Sequence, residues 1–321
     1  MSSEEELIWT EKYRPAKLDD IVGNDAIILR LKQFARTKNM PHCLFAGPPG
    51  VGKTTAALAL AKEILGEHFR ANYLEMNASM DNSIKNVRET VKDYARSMGF
   101  GGLPFKILVL DEADNMSTEA QQALRRTMEI YSSICRFILI CNYSNRIIEP
   151  VQSRCVVFRF SRISKQDVVG RLGFIAKSES IVADGEGLDA IYEESEGDLR
   201  SCVNTLQSLA VVGKKIDKKR VEEFVGSSKT LSLHEMLKSS LQGELENSRK
   251  KLQELLYINA LAPEEIVRQL YREIVRADMS DGLKAALLDE LGEVEFRLIE
   301  GADAEIQLTA FLAKAGLITK S

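Results

Sequence analysis

A glycine-rich loop between an apolar segment and a helix-forming segment constrains this chain most. Residues 43–46 predict a buried strand, residues 47–54 read Gly-Pro-Pro-Gly-Val-Gly-Lys-Thr, and a helix-forming run follows over residues 56–65. The loop fits the pattern G-x-x-x-x-G-K-[ST] in the strand–loop–helix order that a phosphate cradle requires. Its glycines let backbone N–H groups approach phosphate oxygens, and the helix N-terminus adds partial positive charge. A chance glycine turn is the alternative, and the two flanking elements count against it.

The last residues of this phosphate loop are the candidates for contact with phosphate and metal. Lys53 can reach the β- and γ-phosphates, and the Thr54 hydroxyl can ligate Mg²⁺. The remaining nucleotide contacts of the loop are assigned to Gly47, Pro48, Pro49, Gly50, Val51, Gly52 and Thr55. We therefore expect ATP and Mg²⁺ as the ligands of this segment.

An acidic cluster follows another strongly apolar segment. Residues 106–110 predict a buried strand, and Asp-Glu-Ala-Asp follows at residues 111–114. Carboxylates at the carboxyl end of a central strand lie where ligands bind in open α/β sheets. Asp111 can hold Mg²⁺, and Glu112 can polarise the attacking water as general base. The alternative is an acidic cap on the next helix, to which Asp114 and Ser117 contribute.

Three further polar residues have both a catalytic and a structural interpretation. Asn142 follows the predicted strand 136–141 and either orients water against the γ-phosphate or caps its loop. Arg154 precedes the predicted edge strand 156–160 and either stays solvated or reaches a neighbouring subunit's nucleotide. Arg200, in the first turn of a predicted helix, can swing toward phosphate or form a surface ion pair.

A basic stripe runs along the predicted helix 83–97. It consists of Lys85, Arg88, Lys92 and Arg96, at spacings of three and four residues. Such a stripe suits a phosphate backbone, although the nearby Glu89 and Asp93 are typical of a solvated face. Arg125, on the polar side of the predicted helix 118–130, is the remaining candidate for DNA contact.

Composition limits the other function classes. The chain has 321 residues, enough for two or three domains, and its net charge of −4 argues against a general basic coat for nucleic acid. It has no apolar run of transmembrane length and no signal peptide, so we expect an intracellular protein with no membrane partner. The five cysteines form no C-x-x-C pair and are expected to be buried free thiols.

The two ends of the chain are organised differently. Residues 9–15 read Trp-Thr-Glu-Lys-Tyr-Arg-Pro and form either a strap over the core or a lining for the purine side of the pocket. From residue 164 the pattern predicts helices only, and from about residue 230 it predicts five amphipathic helices without a chemical motif.

Together these motifs resemble the small subunit of replication factor C, a clamp loader of the AAA+ ATPase class. The resemblance is strongest over residues 9–205. It rests on the opening W-x-E-K-Y-R-P box, the phosphate loop, D-E-A-D at 111–114, Q-Q-A-L-R-R-T-M-E at 121–129, Ser-Arg-Cys at 153–155 and G-D-L-R at 197–200. The amino-acid sequences of several segments resemble archaeal members of the family more than eukaryotic ones.

The resemblance implies an architecture and a set of roles. It implies an AAA+ core with a parallel five-stranded sheet over residues 1–162, a helical lid over 163–227 and an oligomerising helical collar over 228–321. The residues of the hydrolytic core would be Lys53, Thr54, Asp111 and Glu112. Asn142 and Arg200 would be the first and second sensors, and Arg154 would be a finger acting on the adjacent subunit's ATP. Thr10 and Val22 would contact the nucleotide from the N-terminal strap.

The resemblance also implies partners. These are other small subunits and a large subunit of replication factor C, a ring-shaped sliding clamp and primer–template DNA, with Arg88 and its basic neighbours facing the DNA. The location would be cytoplasmic and nucleoid-associated in an archaeon, or nuclear in a eukaryote. One departure is Met80-Asp81-Asn82-Ser83, where the family usually has Asp-Glu/Asp-Arg-Gly. An arginine and a glycine are therefore missing just before the basic helix, which suits a specialised second small subunit of a hetero-oligomer.

Two other interpretations stay open at this level. One is a different AAA+ DNA motor such as a branch-migration helicase, although the C-terminal part lacks the short strands of a winged helix. The other is a nucleotide-gated scaffold that binds ATP and barely hydrolyses it.

Overall fold

The computed structural model describes residues 8–78, 84–195, 197–213, 215–226, 229–258 and 261–319, without the side chains of 84–88, 225–226 and 229–231. The chain divides into two compact units, Met1–Lys218 and Lys219–Ser321. The division falls nine residues before the boundary that the sequence predicts at 227/228.

The first unit contains all the strands of the described chain. These are β1 (Cys43–Ala46), β2 (Tyr73–Asn77), β3 (Lys106–Asp111), β4 (Cys135–Cys141), β5 (Val156–Arg159), β6 (Val182–Ala183) and β7 (Lys215–Ile216). Its helices are α1 (Trp9–Lys12), α2 (Asp25–Thr37), α3 (Lys53–Leu65), α4 (Phe69–Asn72), α5 (Ile84–Arg96), α6 (Thr118–Ile130), α7 (Glu149–Gln152), α8 (Lys165–Ser178), α9 (Gly185–Glu194) and α10 (Leu199–Val212).

Five of these strands form one parallel sheet in the order β2-β3-β4-β1-β5. This confirms the predicted parallel five-stranded α/β core. Since β4 lies between β1 and β3, the carboxyl ends of these three strands are neighbours at one edge of the sheet. Ala46 pairs with Cys141 at that edge, and Asp111 pairs with Asn77 of β2. The phosphate loop, the acidic cluster and Asn142 therefore all emerge at the same edge.

Both faces of the sheet are covered by helices, which explains why its strands read as continuous apolar runs. On one face α2 and α3 pack with Phe45 and Phe158, and on the other α5 and α6 pack with Leu139. All three of these side chains are buried. Helix α3 therefore has a rigid base directly behind the phosphate loop.

The helical segment after β5 contains one feature that the sequence analysis missed. The prediction of helices only is wrong, because β6 and β7 pair in parallel, with Val182 opposite Lys215 and Ala183 opposite Ile216. A two-residue strand is too short to show an alternating pattern, so sequence periodicity cannot reveal it. We refer to residues 163–217 as the lid segment.

The second unit is helical throughout its described residues. It contains α11 (Lys218–Gly226), α12 (Lys229–Leu241), α13 (Leu245–Gln253) with a π-helical turn over Glu254–Ile258, α14 (Pro263–Arg276), α15 (Asp281–Ile299) and α16 (Ala304–Ile318). Its core includes Leu252, Leu270 and Phe311. The five predicted amphipathic helices correspond to α12–α16. None of the helices in the described ranges is long and apolar enough to cross a membrane.

Candidate nucleotide site

The phosphate loop joins the end of β1 to the start of α3 and depends on its glycines. Gly50 and Gly52 have φ values of 68° and 90°, in the left-handed region that favours glycine. A Cβ atom on Gly50 would lie 1.8 Å from Oδ1 of Asp198, and one on Gly47 would lie 2.2 Å from the carbonyl oxygen of Phe160. The loop can hold this shape against its neighbours only with glycine at these positions.

Lys53 is the first residue of α3, and its ammonium group is directed back into the loop. Its Nζ donates hydrogen bonds to the carbonyl oxygens of Gly47 at 2.6 Å and Pro48 at 2.7 Å, and to Oδ1 of Asn142 at 2.9 Å. Lys53 is only 7% exposed, and burial lowers its pKa. A buried ammonium group held by neutral oxygens gains strongly from a nearby anion, which is the property that a phosphate contact needs.

Thr54 and Asp111 supply two adjacent oxygens. Thr54 Oγ1 donates to Asp111 Oδ2 at 2.8 Å, which joins the first turn of α3 to the end of β3. A hydroxyl and a carboxylate are the oxygen ligands that Mg²⁺ accepts, and they suit a cation that takes its other ligands from substrate phosphates and water. No cluster of three or more His, Cys, Asp or Glu side chains that could hold a metal occurs among the described residues. The residues present thus fit Mg²⁺ bound together with a nucleotide.

Glu112 has an unusual backbone conformation. Its φ and ψ are 54° and 38°, left-handed values that are uncommon outside glycine. Its N–H donates to Asp111 Oδ1 at 2.8 Å, and its Oε2 accepts from Asn115 Nδ2 at 3.3 Å. Strained backbone at such a position persists only where the surroundings fix it, and it is concentrated at functional sites.

Asp114 has a role that neither sequence interpretation anticipated. It is buried, and its Oδ2 accepts the backbone N–H groups of Asn142 and Tyr143, both at 3.0 Å. It does not cap α6, which Ser117 does through a hydrogen bond from the N–H of Ala120 at 3.3 Å. Asp114 thereby fixes the position of Asn142 relative to the acidic cluster.

The site opens into a cavity of about 290 Å³ within the first unit. The predicted residues that line it are Thr10, Val22, Pro49, Gly50, Val51, Gly52, Lys53, Thr54, Thr55, Asp111, Glu112, Asn142 and Arg200. Gly47 and Pro48 are not among the lining residues, and their carbonyl oxygens accept hydrogen bonds from Lys53. The lining residues that sequence reasoning missed are mainly Ile163, Arg171, Ile175 and Val203, all in the lid segment. A spacing signal could not have found them, because they belong to no motif and reach the cavity only through the tertiary fold.

The N-terminal strap, residues 8–15, lines this cavity but is not held by the core. Trp9, Thr10, Tyr13 and Arg14 contribute to the lining, while the hydrogen bonds of the strap to other described parts of the chain run to the lid segment. The strap thus lines the cavity and is hydrogen-bonded to the lid segment, and its assignment to the purine side of the pocket stays a prediction.

Arg154 lies apart from the cavity formed by its own chain. Its Nη1 donates to the carbonyl oxygen of Pro150 at 2.6 Å, and its Nη2 forms an ion pair with Glu129. Arg125 contacts the same carboxylate at 3.2 Å. These arginines lower the pKa of Glu129. Within one subunit, Arg154 therefore does not lie with the other catalytic candidates.

Two of the four candidate DNA contacts have described side chains. Lys92 is exposed on α5, and Arg125 is half-buried on α6 in its ion pair with Glu129. The side chains of Lys85 and Arg88 lie outside the described part of the chain, as does the segment 80–83 that departs from the family pattern.

Two family matches divide the chain in the same way as its architecture. Residues 43–163 match the ATPase family associated with various cellular activities (AAA), and residues 230–314 match the replication factor C C-terminal domain. Full-length relatives extend this result. The replication factor C small subunit of Sulfurisphaera tokodaii is 50% identical over 98% of this chain and 96% of its own length. That of Archaeoglobus fulgidus is 46% identical over 98% of both chains.

The chain belongs to the replication factor C small-subunit family of AAA ATPases. The phosphate loop, Asp111 and Glu112 all fall within the matched ATPase segment, and α12–α16 span the match to the family's C-terminal domain.

Solved structures extend the likeness in fold beyond this family. The Thermotoga maritima RuvB Holliday junction branch migration motor superposes with a TM-score of 0.56, covering 80% of this chain and 85% of that chain at 16% identity. At that identity the likeness shows the fold alone. The interpretation as a branch-migration motor gains nothing from it, because the family matches extend through the C-terminal unit.

Proposed function

We propose that this chain is an ATP-hydrolysing subunit of a clamp loader, in which ATP binding assembles the subunits around an open sliding clamp and hydrolysis releases the closed clamp on primer–template DNA. One observation carries the proposal. Lys53, the Thr54–Asp111 oxygen pair, Glu112 and Asn142 converge at the carboxyl edge of three adjacent strands, in a cavity of about 290 Å³.

The residues of this edge divide the work of hydrolysis. Lys53 exchanges its carbonyl and amide partners for phosphate oxygens when ATP enters. Glu112 accepts the proton of the attacking water, and Asn142 orients that water. Asp114 holds Asn142 in place by accepting a hydrogen bond from its backbone N–H. Arg200, at the second position of α10 and on the cavity wall, contributes positive charge from the lid segment.

The site offers oxygen ligands suited to Mg²⁺ bound together with a nucleotide. Thr54 and Asp111 would hold it, and when bound it supplies charge neutralisation on the phosphate oxygens.

Arg154 supports an arrangement in which each site is completed by a neighbouring subunit. It lies outside its own cavity, and its side chain is 31% exposed beside Glu129. An arginine supplied in trans to the γ-phosphate accelerates hydrolysis by about 10³–10⁵ in nucleotide hydrolases. The partners that we propose are other small subunits and a large subunit, in the compartment that holds the chromosome.

DNA contact is proposed for the surface of α5 and α6. Lys92 is exposed there and, with Lys85, Arg88 and Arg125, would track phosphates without reading sequence. The acidic overall charge is compatible with this, because only one face needs to be basic.

The test is steady-state ATP hydrolysis by the reconstituted complex, with and without sliding clamp and primed DNA. We expect stimulation by both together, and we expect Arg154→Ala in this subunit to remove most of it. Arg70→Ala is the control, because Arg70 is an exposed arginine of the first unit on α4 and not on the α5–α6 surface proposed for DNA. Hydrolysis that is indifferent to clamp and DNA would contradict the clamp-loading function and leave only an oligomeric ATPase.

A further inference from the structure

The N-terminal strap is attached to the lid segment at both of its ends. At its start, the backbone N–H of Trp9 donates to Gln207 Oε1 of α10 at 3.0 Å. Toward its end, Arg171 Nη2 of α8 donates to the carbonyl oxygen of Tyr13 at 2.6 Å. The strap and the lid helices thereby share two backbone-directed hydrogen bonds across more than 150 residues of sequence.

A third attachment lies outside the cavity. Oε1 of Glu179, directly after α8, accepts hydrogen bonds from Lys12 Nζ at 2.7 Å and from the Tyr13 hydroxyl at 2.5 Å. The Tyr13 ring also meets Phe174 edge-on at a centroid distance of 6.3 Å. Glu179 is 19% exposed and is absent from the residues that line the cavity. Its carboxylate therefore acts on the cavity only through the strap.

Arg171 joins the strap to the cavity wall. It lines the cavity, and its guanidinium group lies 5.1 Å from the centroid of the Phe174 ring, the same ring that Tyr13 contacts. Half-burial in this setting lowers the pKa of Arg171. Arg171 is thus held by the Phe174 ring and by the carbonyl oxygen of Tyr13.

The attachment to the core begins only after the strap ends. The first such hydrogen bond comes from the N–H of Leu18 to Glu63 Oε1 of α3, at 2.8 Å. Residues 16–17 therefore separate a segment that is held by the lid segment from a segment that is held by the core. The phosphate loop belongs to the core, whereas the strap is bonded to the lid segment. The phosphate side and the strap side of the cavity are therefore fixed by different sets of bonds.

We propose that Glu179, through its hydrogen bonds with Lys12 and Tyr13 of the strap, is the positioning residue that sets how strongly the site prefers ATP over the phosphate chain alone. This rests on the proposed function, since it presupposes that the phosphates occupy the loop at residues 47–54.

Calorimetric titration of the full chain with ATP, CTP and inorganic tripolyphosphate tests this. In Glu179→Ala we expect the preference for ATP over tripolyphosphate to fall about tenfold, because two side-chain hydrogen bonds to the strap are lost. Affinity for tripolyphosphate itself should change less than about twofold, since Lys53 and the loop glycines are unaffected. The discrimination between ATP and CTP should fall together with the preference for ATP.

Two further variants separate positioning from a general loss of stability. Glu179→Gln retains an oxygen that accepts from Tyr13, so it should restore part of the ATP preference. Tyr13→Phe keeps the ring against Phe174 and removes one hydrogen bond, with an expected loss of about threefold. Glu186→Ala, at an exposed carboxylate in the first turn of α9, is the control and should bind all three ligands like the unaltered chain.

The outcomes distinguish the inference from the proposed function. An unaltered chain that binds neither ATP nor tripolyphosphate would overturn both. Normal binding by the unaltered chain, with an ATP preference in Glu179→Ala that is unchanged, would overturn the positioning role alone. Equal losses for ATP and tripolyphosphate in Glu179→Ala would also overturn it, because a purely structural defect affects both ligands alike.

Discussion

The two halves of the nucleotide cavity are built in different ways. The phosphate half lies on buried parallel strands, with Phe45 and Leu139 inaccessible behind it, and its key contacts run from Lys53 and Thr54 to residues at strand ends. The base half consists of a short strap held by side chains such as Lys12 and Glu179, which are 37% and 19% exposed. Buried geometry makes the first half insensitive to solvent, whereas partly exposed bonds let the second half adjust.

The largest effect is expected where the phosphate half carries the chemistry. Glu112→Gln keeps the size of the side chain and removes the base, so turnover should fall about 10²–10⁴-fold while ATP affinity stays within about threefold. Single-turnover hydrolysis and equilibrium ATP binding measure the two quantities. Unchanged turnover would favour the nucleotide-gated scaffold, in which the acidic cluster has no catalytic role.

A loop glycine tests how rigid the phosphate half is. In Gly50→Ala the new Cβ meets the carboxylate of Asp198 and the backbone keeps its left-handed φ, so affinity for tripolyphosphate should fall about 10²-fold. Gly66→Ala is a matched control, because Gly66 also has a positive φ, of 56°, but no atom lies within 4 Å of its Cβ position. An unchanged affinity in Gly50→Ala would show that the close approach of Asp198 does not fix the loop.

Acid should weaken the phosphate half through His42, which precedes β1. Its Nδ1 accepts the N–H of Phe137 in β4 at 3.1 Å, and burial, with help from Arg136, lowers its pKa from 6.5 to about 4. Between these values the unfolded chain binds a proton that the folded chain does not. The contribution of neutral His42 to the free energy of unfolding should therefore be fully present above pH 6.5. At pH 5 the free energy of unfolding should be about 2 kcal/mol lower.

Chemical denaturation at pH 7 and pH 5 measures this loss. His42→Asn, whose side-chain oxygen can accept the same N–H, should lose about 2 kcal/mol less than the unaltered chain over that interval. His68→Gln is the control, and should behave like the unaltered chain. A steep loss that persists in His42→Asn would assign the acid sensitivity to other groups.

The smallest effect is expected at the edge of the base half. Lys12→Ala removes one exposed ion pair with Glu179 and leaves the hydrogen bond from Tyr13, so the ATP preference should change less than about twofold. Any change should disappear at high ionic strength. Titration at two salt concentrations measures it, and a loss as large as that of Glu179→Ala would make the ion pair, not the Tyr13 hydroxyl, the main attachment.

The sequence predicts the phosphate half far better than the base half. The loop from Gly47 to Thr54 and the pair at residues 111–112 follow strands directly, so local pattern and the rule for parallel sheets are enough to bring them together. The roles assigned to these residues stay predictions until the variants are measured. The sequence also indicates the five-stranded core and the five C-terminal helices, because long apolar periodicities specify them.

The base half escapes prediction because its bonds are long-range. Arg171 reaches Tyr13 across 158 residues, and Trp9 reaches Gln207 across 198, with no spacing rule that connects them. Asp114 shows the same limit at shorter range, since its carboxylate was open to interpretation as a helix cap and instead binds the backbone at residues 142 and 143. The two-residue strands β6 and β7 fall below the length at which alternation can be recognised.

The bond between Trp9 and Gln207 also has a consequence for how the protein is made. The chain emerges from the ribosome with its N-terminal end first, so all the strands of the phosphate half are present once β5 has emerged. The strap cannot form its hydrogen bond with Gln207 until α10 has also emerged. Over that interval the nascent chain has a phosphate loop without a completed base pocket. The strap is synthesised before every strand of the sheet, and yet it is among the last parts of the first unit to find its place.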